Sequence, residues 1–301
     1  MAVLKVLGCR TLVNGVDLWA PFGVGGSLMR MFRQQSPGLV VAVLVCLICP
    51  CVVRAADETT LTKEQIENFL LTAKITGAKQ AGKGVTHTSR LTLTDGTTTH
   101  DASFQSINDN QASIQLGTGT ELGFVDSYRY NIAAFRLAEM LGLDDIVPVY
   151  VERKWKGDTG SLSWWLPVKM DEKDRVAQKI PVPDPDAWNN EMYKVRVLDQ
   201  LVYDSDANLT NVLITDDWKI WRIDFTRAFR LHKELKDAGD LSHCEKQLFE
   251  KLKALNQDEL TEKTKHFLNK DEIKALMSRR DKIVEQFQKL IAAKGESQVL
   301  Y

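Results

Sequence analysis

Four polar residues between positions 206 and 224 have the types and the spacing that phosphate chemistry requires. Asp206, Asn208 and Asn211 fall in one loop that follows a predicted helix, and Asp224 closes the next predicted strand. Phosphoryl transfer needs an aspartate to accept or orient a hydroxyl proton, and it needs hard oxygen ligands for a metal ion on the donor phosphates. One loop and one neighbouring strand end could supply both.

A calcium-binding loop is the main alternative for this segment, because Asp204, Asp206 and Asn208 match its first three ligand positions. The match fails at Leu209, where that loop needs a glycine, and at Thr215, where it needs a bidentate glutamate. Asp and Asn also cap helices and shape turns without binding anything. That explanation suffices for any one of these residues, whereas all four in this order favour a site.

The surrounding sequence predicts the elements that must position this loop. Thr62 opens a capping box before an apolar run, and Asp95-Gly96 is a strong hairpin signal between two runs rich in Thr, Val, Leu and Phe. Helices are predicted at about 63–72, 127–141, 188–203 and 270–294. Strands are predicted at 86–94, 98–107, 147–152, 160–168, 212–215 and 219–224.

Two features divide the chain into lobes. A glycine-rich turn spans 75–84, ahead of the first hairpin strand. The proline-rich stretch 180–186 is stiff and cannot be helical, so it marks the boundary between a β-rich lobe at 57–180 and a helical lobe at 181–301. A small β lobe with a glycine-rich loop, joined to a larger helical lobe, is an arrangement that grips a nucleotide in the cleft between them.

Residues 1–55 predict a secretory signal peptide. The almost uncharged apolar run from Gly38 to Val53 follows two arginines and leads into small residues, and a start at Met29 or Met31 would give a leader of ordinary length. The run is shorter than the roughly 20 residues of a spanning helix and holds Pro50, so a retained anchor is the second choice. We expect no stable membrane span after cleavage, and a location outside the cell, in a bacterial periplasm or in a eukaryotic secretory lumen.

The composition is that of a globular protein, with 44% hydrophobic and 26% charged residues in 301. Four of the five cysteines fall in the leader, which leaves only Cys244 and excludes an internal disulfide in the mature chain. Without the leader the net charge is about −5, with the two signs mixed. This balance does not favour nucleic acid as a partner.

Three separated segments resemble the atypical protein-kinase-like superfamily. The run Asp206–Asn211 resembles the D-x-H/N-x-x-N catalytic loop of HipA-type and phosphatidylinositol kinases, and Asp224–Phe229 resembles the D-x-G-R-G-F metal-binding segment of secretory kinases related to Golgi casein kinase. The segment 131–148 is similar to a helix and the following strand of the same kinases. The resemblance implies a two-lobed α+β kinase-like fold with a small β-rich N-lobe and a larger helical C-lobe.

The resemblance also implies roles for individual residues. Asp206 would be the catalytic aspartate, Asn211 and Asp224 would hold Mg²⁺ or Mn²⁺, and Asn208 and Arg227 would support the loop. The nucleotide, ATP or another, would be bound by Gly77, Gly82, Lys83, Gly84, Thr86, Gln105 and Asn131.

The pattern departs from active kinases at two positions. Active kinases hold the donor phosphates with a strand lysine that pairs with a helix glutamate, and here Gln105 and Asn131 stand at those positions. Two amides could bond each other without leaving a buried charge unpaired. Lys79, Lys83 or Arg90 could supply the missing cation, and Lys83, between two loop glycines, is our choice.

Three functions follow as hypotheses. The first is an exported atypical kinase that transfers phosphate from a nucleotide to an unidentified hydroxyl on a protein, sugar or lipid. The second is a pseudokinase that binds or scaffolds without catalysis, which the loss of the lysine and glutamate favours. The third is nucleotidyl transfer in the same cleft.

Overall fold

A computed structural model describes residues 61–80, 88–116 and 119–301. The predictions that fall outside these ranges are the signal peptide at 1–55 and the roles of Gly82, Lys83, Gly84 and Thr86.

Strands dominate the first half of the described chain and helices the second. The helices are α1 Lys63–Thr72, α2 Tyr128–Leu141, α3 Glu172–Ala177, α4 Pro185–Val202, α5 Lys246–Ala254, α6 Gln257–Thr264 and α7 Lys270–Lys294. The strands are β1 Lys74–Gln80, β2 Ser89–Thr94, β3 Thr99–Gln105, β4 Asn108–Leu116, β5 Gly119–Ser127, β6 Tyr150–Trp155, β7 Asp158–Trp164, β8 Val168–Asp171, β9 Val212–Thr215 and β10 Ile220–Arg222. The predicted α+β class is confirmed.

The strands form three antiparallel groups. Five strands pair in the order β1-β2-β3-β7-β6, three pair in the order β10-β9-β8, and β4 pairs with β5 alone. The chain therefore passes from the first sheet to the second between Trp164 and Val168. The predicted lobe boundary at residue 180 lies after this crossing and stays a prediction.

Capping residues set the helix ends where the sequence predicted them. Thr62 and Gln65 form the capping box of α1, and Ser127 caps α2, which ends at Gly142 with φ 70°. A left-handed residue that closes a helix favours glycine because glycine has no Cβ. Asn269 opens α7, whose observed and predicted bounds agree.

Two predicted boundaries were wrong. Helix α4 begins at Pro185 with Asp184 as its cap, inside the stretch predicted to be non-helical, because proline is well tolerated at the first helical position. Strand β10 ends at Arg222, so Asp224 lies beyond the strand rather than at its end. The hairpin of β4 and β5 was not predicted at all.

The five-stranded sheet has one apolar and one polar face. The apolar face is buried with α1 in a continuous core through Leu91, Leu93, Ala102, Phe104 and Leu162. Because side chains alternate along a strand, Asp101, Ser103 and Gln105 point to the opposite face. Helix α2 reaches that face through Asn131, which contacts Gln105.

In the described part of the chain, no helix combines the length and the apolar character that a membrane span requires.

Candidate functional site

The loop that holds Asp206 is anchored by a buried neighbour. Tyr203 ends α4 in a left-handed conformation with φ 46°, and the fully buried Asp204 follows it. The Asp206 backbone N–H donates to Asp204 Oδ1 at 2.9 Å. The Asp206 side chain itself is 54% exposed, so the loop presents its carboxylate to solvent.

Two amides close the loop behind Asp206. Asn208 Nδ2 donates to the Asp206 carbonyl at 2.8 Å, while Asn208 Oδ1 accepts from the Thr210 backbone N–H at 2.9 Å. Asn211 Nδ2 donates to the same Asp206 carbonyl at 3.4 Å, and the Asn211 carbonyl accepts from Ile223 N at 3.0 Å. The Asn211 side-chain oxygen, the atom a metal would need, accepts no hydrogen bond from the described residues.

Asp224 lies two residues beyond β10 in a left-handed conformation with φ 60°. Such a backbone is uncommon outside glycine, although Asp and Asn tolerate it best, and it occurs often at functional sites. Its Oδ1 accepts from Thr226 Oγ1 at 3.1 Å. Burial raises the pKa of the Asp224 carboxyl, and the charges of Asp204 and Asp126 add to the rise, while Thr226 and Arg222 oppose it.

Asp126, on β5, is a site residue that the sequence analysis missed. Its Oδ1 is buried and has no hydrogen-bond partner among the residues that the structure describes. Burial raises the pKa of Asp126, and the charge of Asp206 adds to it, against a bond from Thr226 and the charge of Arg227. Thr226 therefore links Asp126 to Asp224, and its carbonyl also accepts from the Ser127 backbone N–H at 2.8 Å.

These acids fit a divalent cation. A partly buried carboxylate whose pKa is raised by burial and by a neighbouring acid, close to one with an unpartnered oxygen, is stabilised by a bound cation. Within the described residues no three His, Cys, Asp or Glu side chains surround one metal position. A metal here would need the amide oxygen of Asn211 and oxygens of a ligand to complete its coordination.

Arg222 is the buried support of this acidic region. Its Nη2 donates to Asp204, its Nε donates to Asp199 Oδ1 at 2.9 Å, and its Nη1 donates to the carbonyls of Ile223 and Asp224. Arg222 and Asp204 are both 0% exposed. Burial raises the pKa of Asp199 to about 6, with the Asp204 charge adding to the rise and Arg222 opposing it. Helix α4, the Asp206 loop and the Asp224 segment thus share one cation.

The predicted bond between Gln105 and Asn131 is present. Asn131 Nδ2 donates to Gln105 Oε1 at 2.7 Å and to Ser161 Oγ at 3.1 Å, and Asn131 Oδ1 accepts from the Phe225 backbone N–H at 2.7 Å. Gln105 Nε2 donates to Thr88 Oγ1 at 3.3 Å. A neutral, fully buried amide therefore connects the sheet, α2 and the segment that follows Asp224.

The polar face of the sheet carries an ion pair beyond Gln105. Arg90 Nε and Thr92 Oγ1 both donate to Asp101, at 2.5 and 2.6 Å. The Arg90 guanidinium lies 4.2 Å from the centre of the Trp165 ring, where the chain leaves the first sheet. Arg90 was one of the cations considered for the phosphates, and the structure pairs it with Asp101.

The remaining predicted residues lie as follows. Gly77 lies within β1, opposite Thr92, so residues 75–80 of the predicted glycine-rich turn form a strand instead. A β-bulge between Ile75 and Gly77 accommodates the glycine in the strand. Arg227 Nη1 lies 3.8 Å from Asp206 Oδ1, and its guanidinium lies 5.1 Å from the centre of the Phe124 ring. Hairpin β4–β5 therefore contacts Arg227, the neighbour of Asp206, through Phe124.

Sequence reasoning missed Asp126 and Arg222 because the position of each depends on contacts with residues distant in the sequence. Asp126 reaches the site only because β5 folds back on β4, and the run around it has no turn signal as strong as Asp95-Gly96. Arg222 is a charged residue, and arginine is mostly exposed in proteins, so its type predicts an exposed side chain there. Its burial depends on Asp199, 23 residues away.

Comparisons with known proteins show similarity in structure alone. No protein-family model matches the chain, and no curated protein matches its sequence. The structure of hydra Fam20 with sugar matches 79% of this chain and 91% of its own, at 17% identity and a TM-score of 0.59. The Helicobacter pylori proinflammatory kinase CtkA matches 76% of this chain and 98% of its own, at 8% identity and a TM-score of 0.46.

The likeness to hydra Fam20 covers more than three quarters of this chain, at low sequence identity. It confirms the predicted kinase-like α+β fold. This chain is a kinase-like protein in its fold.

Proposed function

We propose that this protein is an atypical kinase that transfers phosphate from a metal-bound nucleotide to a hydroxyl acceptor. The observation that carries the proposal is the unpartnered Asp126 Oδ1 beside the buried, left-handed Asp224. A buried polar atom without a partner costs about 1–3 kcal/mol. The fold retains this cost, which a cation bound during function would remove.

The metal ligands in this proposal are Asp224 and the amide oxygen of Asn211, with Asp126 contributing charge and an open oxygen. Mg²⁺ or Mn²⁺ would supply charge neutralisation on the donor phosphates. Arg222 holds the backbone of Asp224 in place through its carbonyl. The position of the carboxylate is therefore set before any ligand binds.

Asp206 is proposed to act on the acceptor. Its exposed carboxylate can accept the proton of an acceptor hydroxyl as the new oxygen–phosphorus bond forms and the bond to the departing nucleoside diphosphate breaks. Asn208 fixes the backbone of this loop, and Arg227, close to Asp206 Oδ1, helps to hold its carboxylate.

ATP or another nucleotide would lie against the polar face of the sheet. Gly77, Gly82, Gly84 and Thr86 are proposed to bind its phosphates through backbone N–H groups, with Lys83 as the cation. Gln105 and Asn131 are engaged with each other and with neighbouring groups. Their proposed contribution is therefore to shape the nucleotide cleft rather than to hold charge.

The second candidate is a pseudokinase that binds or scaffolds without phosphotransfer. The observation that favours it is the neutral bond between Gln105 and Asn131, where active kinases have an ion pair on the phosphates. Nucleotidyl transfer in the same cleft is a third candidate, because the same metal ligands would serve it.

For the acceptor and for the location of the protein we propose classes rather than one molecule or one compartment. Hydra Fam20 was determined with a sugar, so a sugar hydroxyl joins protein and lipid hydroxyls as a candidate acceptor. The leader at 1–55 is proposed to direct export, and the acceptor would then be met in the periplasm, the secretory lumen or the medium.

The first experiment measures the melting temperature of the chain from residue 57 with ATP, with and without Mg²⁺ or Mn²⁺. We expect a metal-dependent rise in the wild type that is lost in Asp224→Asn, because asparagine tolerates the left-handed backbone but lacks the charge. Asp216→Asn, at an exposed position between β9 and β10, is the matched control. No rise in the wild type would overturn the nucleotide proposal.

A second experiment separates the kinase from the pseudokinase. Transfer of labelled γ-phosphate to protein, sugar and lipid fractions is measured for the wild type and for Asp206→Asn. We expect transfer by the wild type alone, with the metal-dependent melting shift kept in both proteins. Binding without transfer to any fraction would support the pseudokinase, and release of diphosphate would support nucleotidyl transfer.

A further inference from the structure

A polar cavity of about 630 Å³ lies beside the candidate site, where hairpin β4–β5, the start of α2, the segment after Asp224 and the α6–α7 connection meet. Three cationic side chains from three different parts of the chain line it: Arg129, Arg230 and Lys265. We propose that this cavity binds a small anionic group, a phosphate.

The charge of the lining favours an anion. Glu272 is the acidic residue among the described lining residues, and its two oxygens already accept from Tyr130 Oη at 2.5 Å and from Asn269 N at 2.7 Å. Lys265 pairs with Glu262, whose side chain is 72% exposed. A surface pair of that kind contributes about 0–1 kcal/mol, so an anion in the cavity can compete for the lysine.

The start of α2 adds to the positive electrostatic potential of the cavity. Ser127, the cap of α2, and Arg129 in its first turn both line the cavity. The first turn of α2 holds no acidic residue, and the acid closest to it in sequence, Asp126, precedes the cap. The first turn of α7 holds Asp271 and Glu272, so the positive end that an anion would meet belongs to α2.

The cavity is tied to the candidate site by hydrogen bonds. Arg230 Nε donates to Ser205 Oγ at 3.4 Å, next to Asp206, and Arg230 Nη1 donates to the Gly123 carbonyl at 3.2 Å. Arg129 donates to the His266 carbonyl and lies two residues before Asn131. An anion held between Arg129 and Lys265 would therefore brace α2 against the helical part of the molecule, close to the loop that holds Asp206.

Two sources could supply the same chemistry: a free small anion, or an anionic group carried by a larger molecule such as the acceptor. The cavity is lined by Asn108 and Asn110 as well as by cations, so it offers donors for polar groups around the charge. The two sources are separated by probes of different size that carry the same phosphate.

The test measures melting temperature without nucleotide or metal, at constant ionic strength, in 0–10 mM inorganic phosphate and separately in glucose 6-phosphate. We expect a saturable rise of about 2–4 °C in the wild type. Arg129→Gln and Lys265→Gln should lose the rise, whereas Lys274→Gln, at an exposed position on α7, should keep it. Lys265 is exposed, so its variant removes the charge without disturbing packing.

Each outcome of this test either identifies the source of the anion or overturns the proposal. A rise with inorganic phosphate shows that a free anion is sufficient, and a rise with glucose 6-phosphate alone shows that the anion is carried by a larger molecule. No saturable rise with either probe, or an equal rise in Arg129→Gln, Lys265→Gln and Lys274→Gln, would overturn the proposal. Because nucleotide and metal are absent, this result is independent of whether the chain is a kinase.

Discussion

The candidate site has two halves that meet at Asp224 and Phe225, and they differ in charge and in how far their polar atoms are paired. The acidic half consists of Asp126, Asp206, Asn211 and Asp224. The amide half consists of Gln105, Asn131, Ser161 and the Phe225 backbone N–H. The acidic half has like charges, a left-handed Asp224 and an unpartnered Asp126 Oδ1, whereas in the amide half Asn131 uses its amide nitrogen and its oxygen in short bonds.

The two halves differ in whether every buried polar atom has a partner within the described chain. A buried polar group costs free energy until it is paired, and a charged one costs more. Within the described chain the acidic half keeps an unpartnered carboxylate oxygen, which the proposed cation would pair. The amide half is complete, so its stability requires no ligand.

The largest expected effect comes from removing the support of the acidic half. Arg222→Met should lower the free energy of unfolding by about 3–5 kcal/mol, because it leaves the buried Asp204 and its neighbour Asp199 without their cation. Urea unfolding measures the loss, and Arg196→Met, at an exposed position on α4, is the control. A loss under about 1 kcal/mol would show that the buried pair is not the support of this half.

The amide half can be turned back into an ion pair. Gln105→Lys and Asn131→Asp should each destabilise the protein, because each buries an unpaired charge. The double variant should recover about 1–3 kcal/mol relative to the sum of the two, which a double-mutant cycle by urea unfolding measures. Additive losses would show that positions 105 and 131 no longer communicate through their side chains.

The pH dependence of stability should report on Asp199. Its folded pKa of about 6 lies above the ordinary aspartate value of 3.8, so the folded state binds this proton more tightly than the unfolded chain does. The stability that protonation provides is present in full below about pH 4 and is lost as the pH rises through about 6.

From pH 5 to pH 7.5 the loss due to Asp199 should be about 1 kcal/mol, or about 2–4 °C in melting temperature. Asp199→Asn should remove that part of the pH dependence, since its side chain does not titrate. An unchanged difference between the two pH values in the variant would assign the effect to other groups.

The smallest expected effect on stability comes from removing one charge of the acidic half. Without metal, Asp126→Asn should raise the free energy of unfolding by about 0.5–1 kcal/mol, because it removes a like charge near Asp224 and keeps an acceptor for Thr226. With ATP and Mn²⁺ the same variant should show a smaller melting shift than the wild type. Asp158→Asn, at the exposed first position of β7, should change neither quantity.

Local signals explain what the sequence could predict. The Thr62 box, the Asp95-Gly96 turn and Gly142 lie within a few residues of the elements that they define, so α1, the β2–β3 hairpin and the end of α2 were readable. The bond between Gln105 and Asn131 was also predictable, because both stand where a kinase-like fold brings two side chains together.

Long-range burial explains what the sequence could not predict. Asp126 looks like an ordinary polar residue before a helix cap until hairpin β4–β5 folds back and Thr226 meets it. Arg222 looks exposed until Asp199 and Asp204 enclose it. Asp224 departs from the predicted strand because its left-handed backbone turns the chain, and no residue type other than glycine signals such a turn strongly.

The bonds of Asn131 also bear on the order in which the molecule folds. They reach partners 26, 30 and 94 residues away along the chain, whereas hairpin β4–β5 pairs close neighbours and such hairpins form in microseconds. Closing the longer loops costs chain entropy first, so we expect these bonds to form after the folding transition state. Their loss would then speed unfolding and leave the folding rate nearly unchanged. Asn131 would set how long the assembled cleft persists, rather than how fast it forms.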